Sequence, residues 1–297
     1  MSEPNGHAFS ERMFAAEDGL HLHLRDYHPG PNATESRLPV ICLAGLTRNA
    51  RDFHQLALIL SQDARTPRRV IALDYRGRGL SDRDDNKANY NILVEAQDVI
   101  HVCAGLGVDR TIFIGTSRGG LILHMLAAIK PDLLAAVVFN DIGPVIEAKG
   151  LMQIRDDLNS AIPPRDWDDA ARMLQARHGA DFPALSEQDW AEMANAIYRE
   201  IDRRIIADVD PAIAAQLMTI DFEKPLPDLW SQFDALAGVP MMVIRGENSA
   251  LLSETTVEEM VARHPAAKRV LAREQGHPPL LHLQPMANEI MSFLASV

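Results

Sequence analysis

Six short apolar runs, each of strand length and bounded by turn residues, limit the folds open to this chain of 297 residues. They are Leu38 to Leu43 (LPVICL), Arg69 to Leu73 (RVIAL), Thr111 to Ile114 (TIFI), Ala135 to Phe139 (AAVVF), Pro240 to Ile244 (PMMVI) and Arg269 to Leu271 (RVL). A strand with one wet face alternates apolar and polar residues. A continuous apolar run suits a strand covered on both faces, the environment of a parallel sheet between helices. Ahead of these runs, Phe14 to Tyr27 holds Asp18-Gly19 and then the alternating HLHL, a hairpin pattern.

Helical periods separate the runs. Tyr90 to Gly107 places Ile92, Ala96, Val99, Cys103 and Leu106 on one stripe and ends in Gly105 and Gly107 as C-cap candidates. Gly119 to Lys130 is apolar almost all round and stops at Pro131, as an interior helix would. From about Val145 to Leu236 the alternation fails. Helical periods continue there, with Ser186-x-x-Asp189 and Asp210-Pro211 as helix starts, but no strand run appears. The expectation is an α/β fold, a mostly parallel sheet flanked by helices. Its core domain covers 1–144 and 236–297, and an all-helical insertion fills 145–235.

The formal net charge is −12. Val145 to Trp230 holds nine basic and seventeen acidic residues, so eight of the twelve excess negative charges lie in the insertion. An acidic chain repels polyanions, which argues against nucleic acid or an anionic membrane surface as partner and leaves small molecules or other proteins. The two cysteines, Cys42 and Cys103, sit in separate apolar runs and form neither a disulfide framework nor a metal motif. No cofactor motif is present. The N-terminal stretch MSEPNGHAFSERMF lacks an apolar signal-peptide core, and no run approaches the roughly 18 apolar residues of a membrane span. A cytoplasmic location is the expectation, and the oligomeric state is left open.

The chemistry concentrates at Gly115-Thr116-Ser117-Arg118-Gly119, between TIFI and the interior helix. A serine on a sharp strand-to-helix turn is held clear of the sheet above a helix N-terminus, whose free N–H groups favour developing negative charge. A serine hydroxyl needs a base to become a nucleophile. Of eleven histidines, His277 in the loop after the last strand run is best placed, since it reaches the same C-terminal sheet edge as Ser117. His7, His21, His23 and His28 fall away from that edge; His54, His101, His124, His178, His264 and His282 fall in helical runs or at their ends. Donors for a tetrahedral oxyanion would be the backbone N–H groups of Arg118 and of Leu46, in the loop after LPVICL.

These motifs, in order LAGLTRNARDF, LDYRGRGLSD, GTSRGG, FNDIGP, VIRGENSALLS and GHPPLL, resemble α/β-hydrolase-fold proteins of the lid-bearing kind that includes esterases, lactonases and C–C bond hydrolases. The resemblance spans residues 38 to 283 and implies that the insertion is a lid. It disfavours the Asp-nucleophile members, because the elbow holds Ser117. One position departs from the pattern: the family's usual triad acid falls in the loop after PMMVI, where this chain has Ala250. Three readings are open. Asp141, just after AAVVF, serves instead; Ala250 is an inactivating substitution; or the protein uses no full triad. The missing acid also motivates a rival from another class, a weakly active or inactive binding or sensor protein on the same fold. Asp141 could equally cap the NDIGP turn.

Arg48, Arg51 and Arg118 cluster near the expected mouth and suit either a substrate carboxylate or the acidic insertion. Trp167, Trp190 and Met152, at helical spacing in the insertion, read more readily as core than as pocket, and of these Trp167 is kept as a candidate for substrate contact. The expected activity is hydrolysis of a small ester or lactone through Ser117 and His277, with a β-ketoacid-type C–C bond as the alternative.

Overall fold

The computed structural model describes residues 8–29 and 37–297. Residues 1–7, which include His7 and are half of the N-terminal stretch weighed above as a signal segment, and residues 30–36 after Tyr27 lie outside the described residues.

Each apolar run forms a strand. The sheet contains β1 (Phe9–Ala15), β2 (His21–Tyr27), β3 (Val40–Leu43), β4 (Val70–Leu73), β5 (Thr111–Thr116), β6 (Leu134–Asn140), β9 (Met241–Gly246) and β10 (Lys268–Ala272), in the order β1-β2-β4-β3-β5-β6-β9-β10. Only β1–β2 and β2–β4 pair antiparallel. The hairpin turns at Gly19, whose φ of 88° is open to glycine. The central strands β3 to β6 are buried at every residue, which explains their unbroken apolar sequence.

Helices cover both faces. Residues of α2 (Ile92–Gly105), α3 (Arg118–Ile129), α8 (Trp230–Asp234) and α9 (Glu254–Arg263) pack into one apolar core, and those of α1 (His54–Ser61) and α10 (Met286–Ala295) into the other. Cys42 and Cys103 are buried in these cores as free thiols.

Between β6 and β9 lie α4 (Ala148–Asn159), α5 (Trp167–His178), α6 (Glu187–Ile197), β7 (Tyr198–Ile201), β8 (Arg204–Ala207) and α7 (Pro211–Leu217). The expected helix starts are real. Ser186 and Asp189 form a reciprocal capping box, and the Asp210 side chain caps α7 ahead of Pro211. The insertion is not all-helical, however: β7 and β8 form an antiparallel ribbon. Its turn uses Asp202 and Arg203, both at positive φ. Without Asn-Gly or Asp-Gly, and with strands of four residues, the hairpin leaves little trace in the sequence. The insertion has its own small core, in which Phe182 and Trp190 meet edge to face. Phe233 of α8 already belongs to the main core.

His124 on α3 is fully buried against Phe139, donates its Nδ1–H to the Gly120 carbonyl at 2.7 Å, and is pulled by burial down to about 4. Below pH 6.5 the unfolded chain takes a proton that the folded chain refuses, so this contribution to stability is complete above 6.5 and is lost as pH falls towards 4. The slope is up to about 1.4 kcal/mol per pH unit. Urea denaturation of His124→Leu between pH 7 and 4.5 should show a flatter pH dependence than the wild type; an unchanged slope would contradict neutral burial.

Candidate active site

Three turns at the C-terminal edge of the sheet bring the site together. The first follows β5. Ser117 lies at φ 50°, ψ −113°, and its N–H donates to the Asn140 carbonyl at 3.0 Å. Only small residues permit this turn. A Cβ on Gly115 would stand 2.7 Å from the Gly119 carbonyl carbon, and one on Gly119 would strike the Leu43 carbonyl. The strain at a non-glycine residue with positive φ is of order 1–3 kcal/mol, held in place by the packing around it.

The second turn follows β6. Asp141 has no exposed surface and a φ of 55°; its Oδ1 accepts the Gly246 N–H at 2.8 Å and its Oδ2 lies 2.8 Å from His277 Nδ1. The third turn follows β10 and carries His277, whose Nε2 is 2.9 Å from Ser117 Oγ. This geometry suits an imidazole with its proton on Nδ1, donating to the acceptor oxygen of Asp141, and with Nε2 open to the serine hydroxyl. The Gln275 side chain fixes this loop by accepting the Leu280 N–H at 2.7 Å.

Leu46 lines a cavity together with Ser117, and Arg118 follows Ser117 in the chain. A Cβ on Gly45 would lie 3.9 Å from Ser117 Cβ, and neither the Leu46 nor the Arg118 N–H has an acceptor among the described residues. A cavity of about 370 Å³ opens over Ser117, with a largely apolar wall that includes Ile154, Leu158, Leu174, Ile206, Val209 and Leu251. A smaller one of about 140 Å³ lies on the other side of His277, bordered by Thr116, Asn140, Asp189, Glu192, His178 and His282. Burial pulls both His178 and His282 below the usual imidazole range.

Residues 39–282 match the family model of the alpha/beta hydrolase fold. The chain belongs to the α/β-hydrolase-fold family. The hydrolase is 30% identical to the 3-hydroxybutyrate-oligomer hydrolase of Cupriavidus necator, over 87% of this chain and 88% of that one. It is 26% identical to the esterase YbfF of Escherichia coli, over 74% and 79% of the two chains. A crystal structure of an α/β hydrolase from Novosphingobium aromaticivorans superposes with a TM-score of 0.89 at 37% identity, covering 98% of this chain and 99% of the other. The relatives are named as hydrolases and esterases, and this chain is a hydrolase.

In the hydrolase, Ala250 lines the larger cavity and its backbone abuts Gly150 of α4. The three mouth arginines are placed differently. Arg48 borders both cavities and forks onto Asp52 at 2.6–2.9 Å. Arg51 borders the smaller cavity, and its guanidinium donates to the carbonyls of Asn195, Ala196 and Tyr198 and to buried Asp208 at 2.7 Å. Arg118 turns its side chain inward to Glu95 at 2.6 Å. Trp167 opens α5 and lines neither cavity. It shares a helix face with Leu174 and His178, which do line them, but lies about 10 Å or more farther along the axis. Arg177 carries no signal in the sequence, and His178 and His282 read there only as histidines of helical runs; their places at the cavities depend on how the insertion folds over the sheet.

Arg51 thus anchors the insertion to the core, together with Asn49 donating to the Ala196 carbonyl and Asn248 to that of Asp181. Arg199 lies 2.9 Å from the other Asp208 oxygen, poorly aligned for a hydrogen bond. Arg51→Met should cost about 1–3 kcal/mol of stability and expose residues 145–229 to limited proteolysis before the core. Proteolysis indistinguishable from the wild type would refute the anchor.

Proposed function

We propose that this hydrolase cleaves a small carboxylic ester or lactone through an acyl-enzyme on Ser117. The observation that carries this reading is the hydrogen-bonded chain Ser117 Oγ, His277, Asp141, with both links under 3 Å. His277 Nε2 takes the hydroxyl proton as Ser117 Oγ attacks the carbonyl carbon. The C=O electron pair moves to oxygen, and the Leu46 and Arg118 N–H groups hold the oxyanion. Its collapse expels the alkoxide, which takes the proton from His277. Water then attacks the acyl carbon by the same route in reverse and frees Ser117.

In this reading Asp141 is the triad acid and Ala250 is a wall of the acyl chamber. The segment between β6 and α8 is the lid, which excludes water and sets the chamber's size. The 370 Å³ cavity with its apolar wall suits a short acyl chain. The 30%-identical relative is named for 3-hydroxybutyrate oligomers, so a short oligoester of a hydroxy acid is the first substrate to try beside p-nitrophenyl acetate and simple lactones.

A fluorophosphonate probe should label the wild type and not Ser117→Ala. Asp141→Asn should lower kcat by roughly 10⁴-fold with little change in KM, while Ala250→Asp should bring no gain. Equal labelling of Ser117→Ala would remove the nucleophile. Full activity of Asp141→Asn together with a large gain in Ala250→Asp would return the acid to position 250.

A further inference from the structure

Three charged side chains that the proposed mechanism does not use lie beneath the site. Arg78, Glu95 and Arg118 come from the loop after β4, from α2 and from the start of α3. Arg78 and Glu95 have no exposed side-chain surface and Arg118 has 12%. Glu95 Oε1 accepts from Arg78 Nη1 at 2.9 Å and its Oε2 accepts from Arg118 Nε at 2.6 Å. The Arg78 guanidinium reaches on: Nη1 also donates to the Arg76 carbonyl at 2.9 Å, and Nε donates to the Leu46 carbonyl at 2.6 Å. Arg118 Nη2 donates to the Tyr90 carbonyl at 3.2 Å.

We infer that Arg78 and Glu95 are positioning residues for the oxyanion hole. This inference rests on the reading of Ser117 as nucleophile. Its basis is that the two ends of one buried ion chain attach to Leu46 and Arg118, the two residues to which the proposed function assigns the oxyanion donors. At one end the Nε–H of Arg78 holds the carbonyl of Leu46, fixing that residue in the loop after β3. At the other, Glu95 holds the side chain of Arg118 itself. The chain therefore sets the distance between two donors that belong to different loops and share no backbone hydrogen bond.

Two further features fit this role. The trio carries two positive charges and one negative, so a net positive charge stands behind the hole, in a buried setting where charge on an oxyanion is felt strongly. Stability alone gives no reason for it, because buried ion networks are often no more stable than apolar side chains of the same shape. Arg78 Nη2 is buried with no partner among the described residues, and so is the hydroxyl of Tyr75, whose ring lies 5.4 Å from the guanidinium. The loop bearing Arg78 is in turn held by the insertion. Arg78 bridges to Val209, Gly79 N–H donates to the Asp208 carbonyl at 3.1 Å, and Asp210 N–H donates to the Gly77 carbonyl at 2.7 Å.

The informative substitution is Arg78→Lys, which keeps the charge opposite Glu95 and loses the planar fork that reaches Leu46. With p-nitrophenyl acetate, Arg78→Lys should lower kcat about tenfold to a hundredfold, below the loss on deleting an oxyanion donor outright, and leave KM near its wild-type value. The affinity of an alkyl trifluoromethyl ketone, whose serine adduct carries the oxyanion, should fall by the same factor. Glu95→Gln, which keeps the shape and one acceptor, is read in the same way, so that either variant decides the matter if the other does not fold. A folded variant with wild-type kcat and ketone affinity overturns the inference, as does a loss of kcat with ketone affinity unchanged. Ser117→Ala is measured beside them: if it keeps its activity, the nucleophile assignment has failed, whereas an inactive Ser117→Ala with a fully active Arg78→Lys condemns the clamp alone.

Discussion

Asp141 is a carboxylate with no exposed surface, held between the Gly246 amide and His277 Nδ1. An ionised group so placed is tolerated only because both oxygens are bonded. Those bonds join the ends of β6, β9 and β10, and His277 extends the connection to β5 through Ser117. The parallel sheet makes this possible, since all four strands end at one edge. A shift of β6 against β9 would separate Asp141 from the Gly246 amide, so the register of the sheet and the geometry of the site depend on each other.

The glycines do a related job for the serine. Gly115 and Gly119 let α3 approach β3 and β5 so closely that any side chain would strike backbone. Ser117 is thereby forced into its positive-φ conformation at the helix N-terminus, and the backbone N–H groups beside it stay free. Beneath them the Arg78–Glu95–Arg118 chain fixes the loops from below, while the insertion covers the site from above through Arg51 and Asn49.

The sheet was legible because its central strands are wet on neither face, which leaves no polar residues to break the apolar runs. Ser117 and His277 were legible because each sits in a loop just beyond such a run. Asp141 was half legible: its place after β6 was visible, but its partner lies 136 residues away and no spacing reveals whether a carboxylate there caps a turn or meets a histidine. The β7–β8 ribbon escaped because its turn lacks the usual glycine. Arg51 took the second of its two readings, pairing with Asp208 of the insertion, and Trp167 stands away from both cavities; what each touches depends on how the insertion lies on the core, and local sequence does not encode that.

The ring of His277 is the place to test the central claim that Asp141 orients the base. Nitrogen-15 NMR of histidine-labelled protein reads the tautomer directly. An imidazole oriented by Asp141 is protonated on Nδ1 with Nε2 free to accept, a state lost in Asp141→Ala and retained in Ala250→Asp. A wild-type ring protonated on Nε2, or a tautomer unchanged when Asp141 is removed, would contradict it.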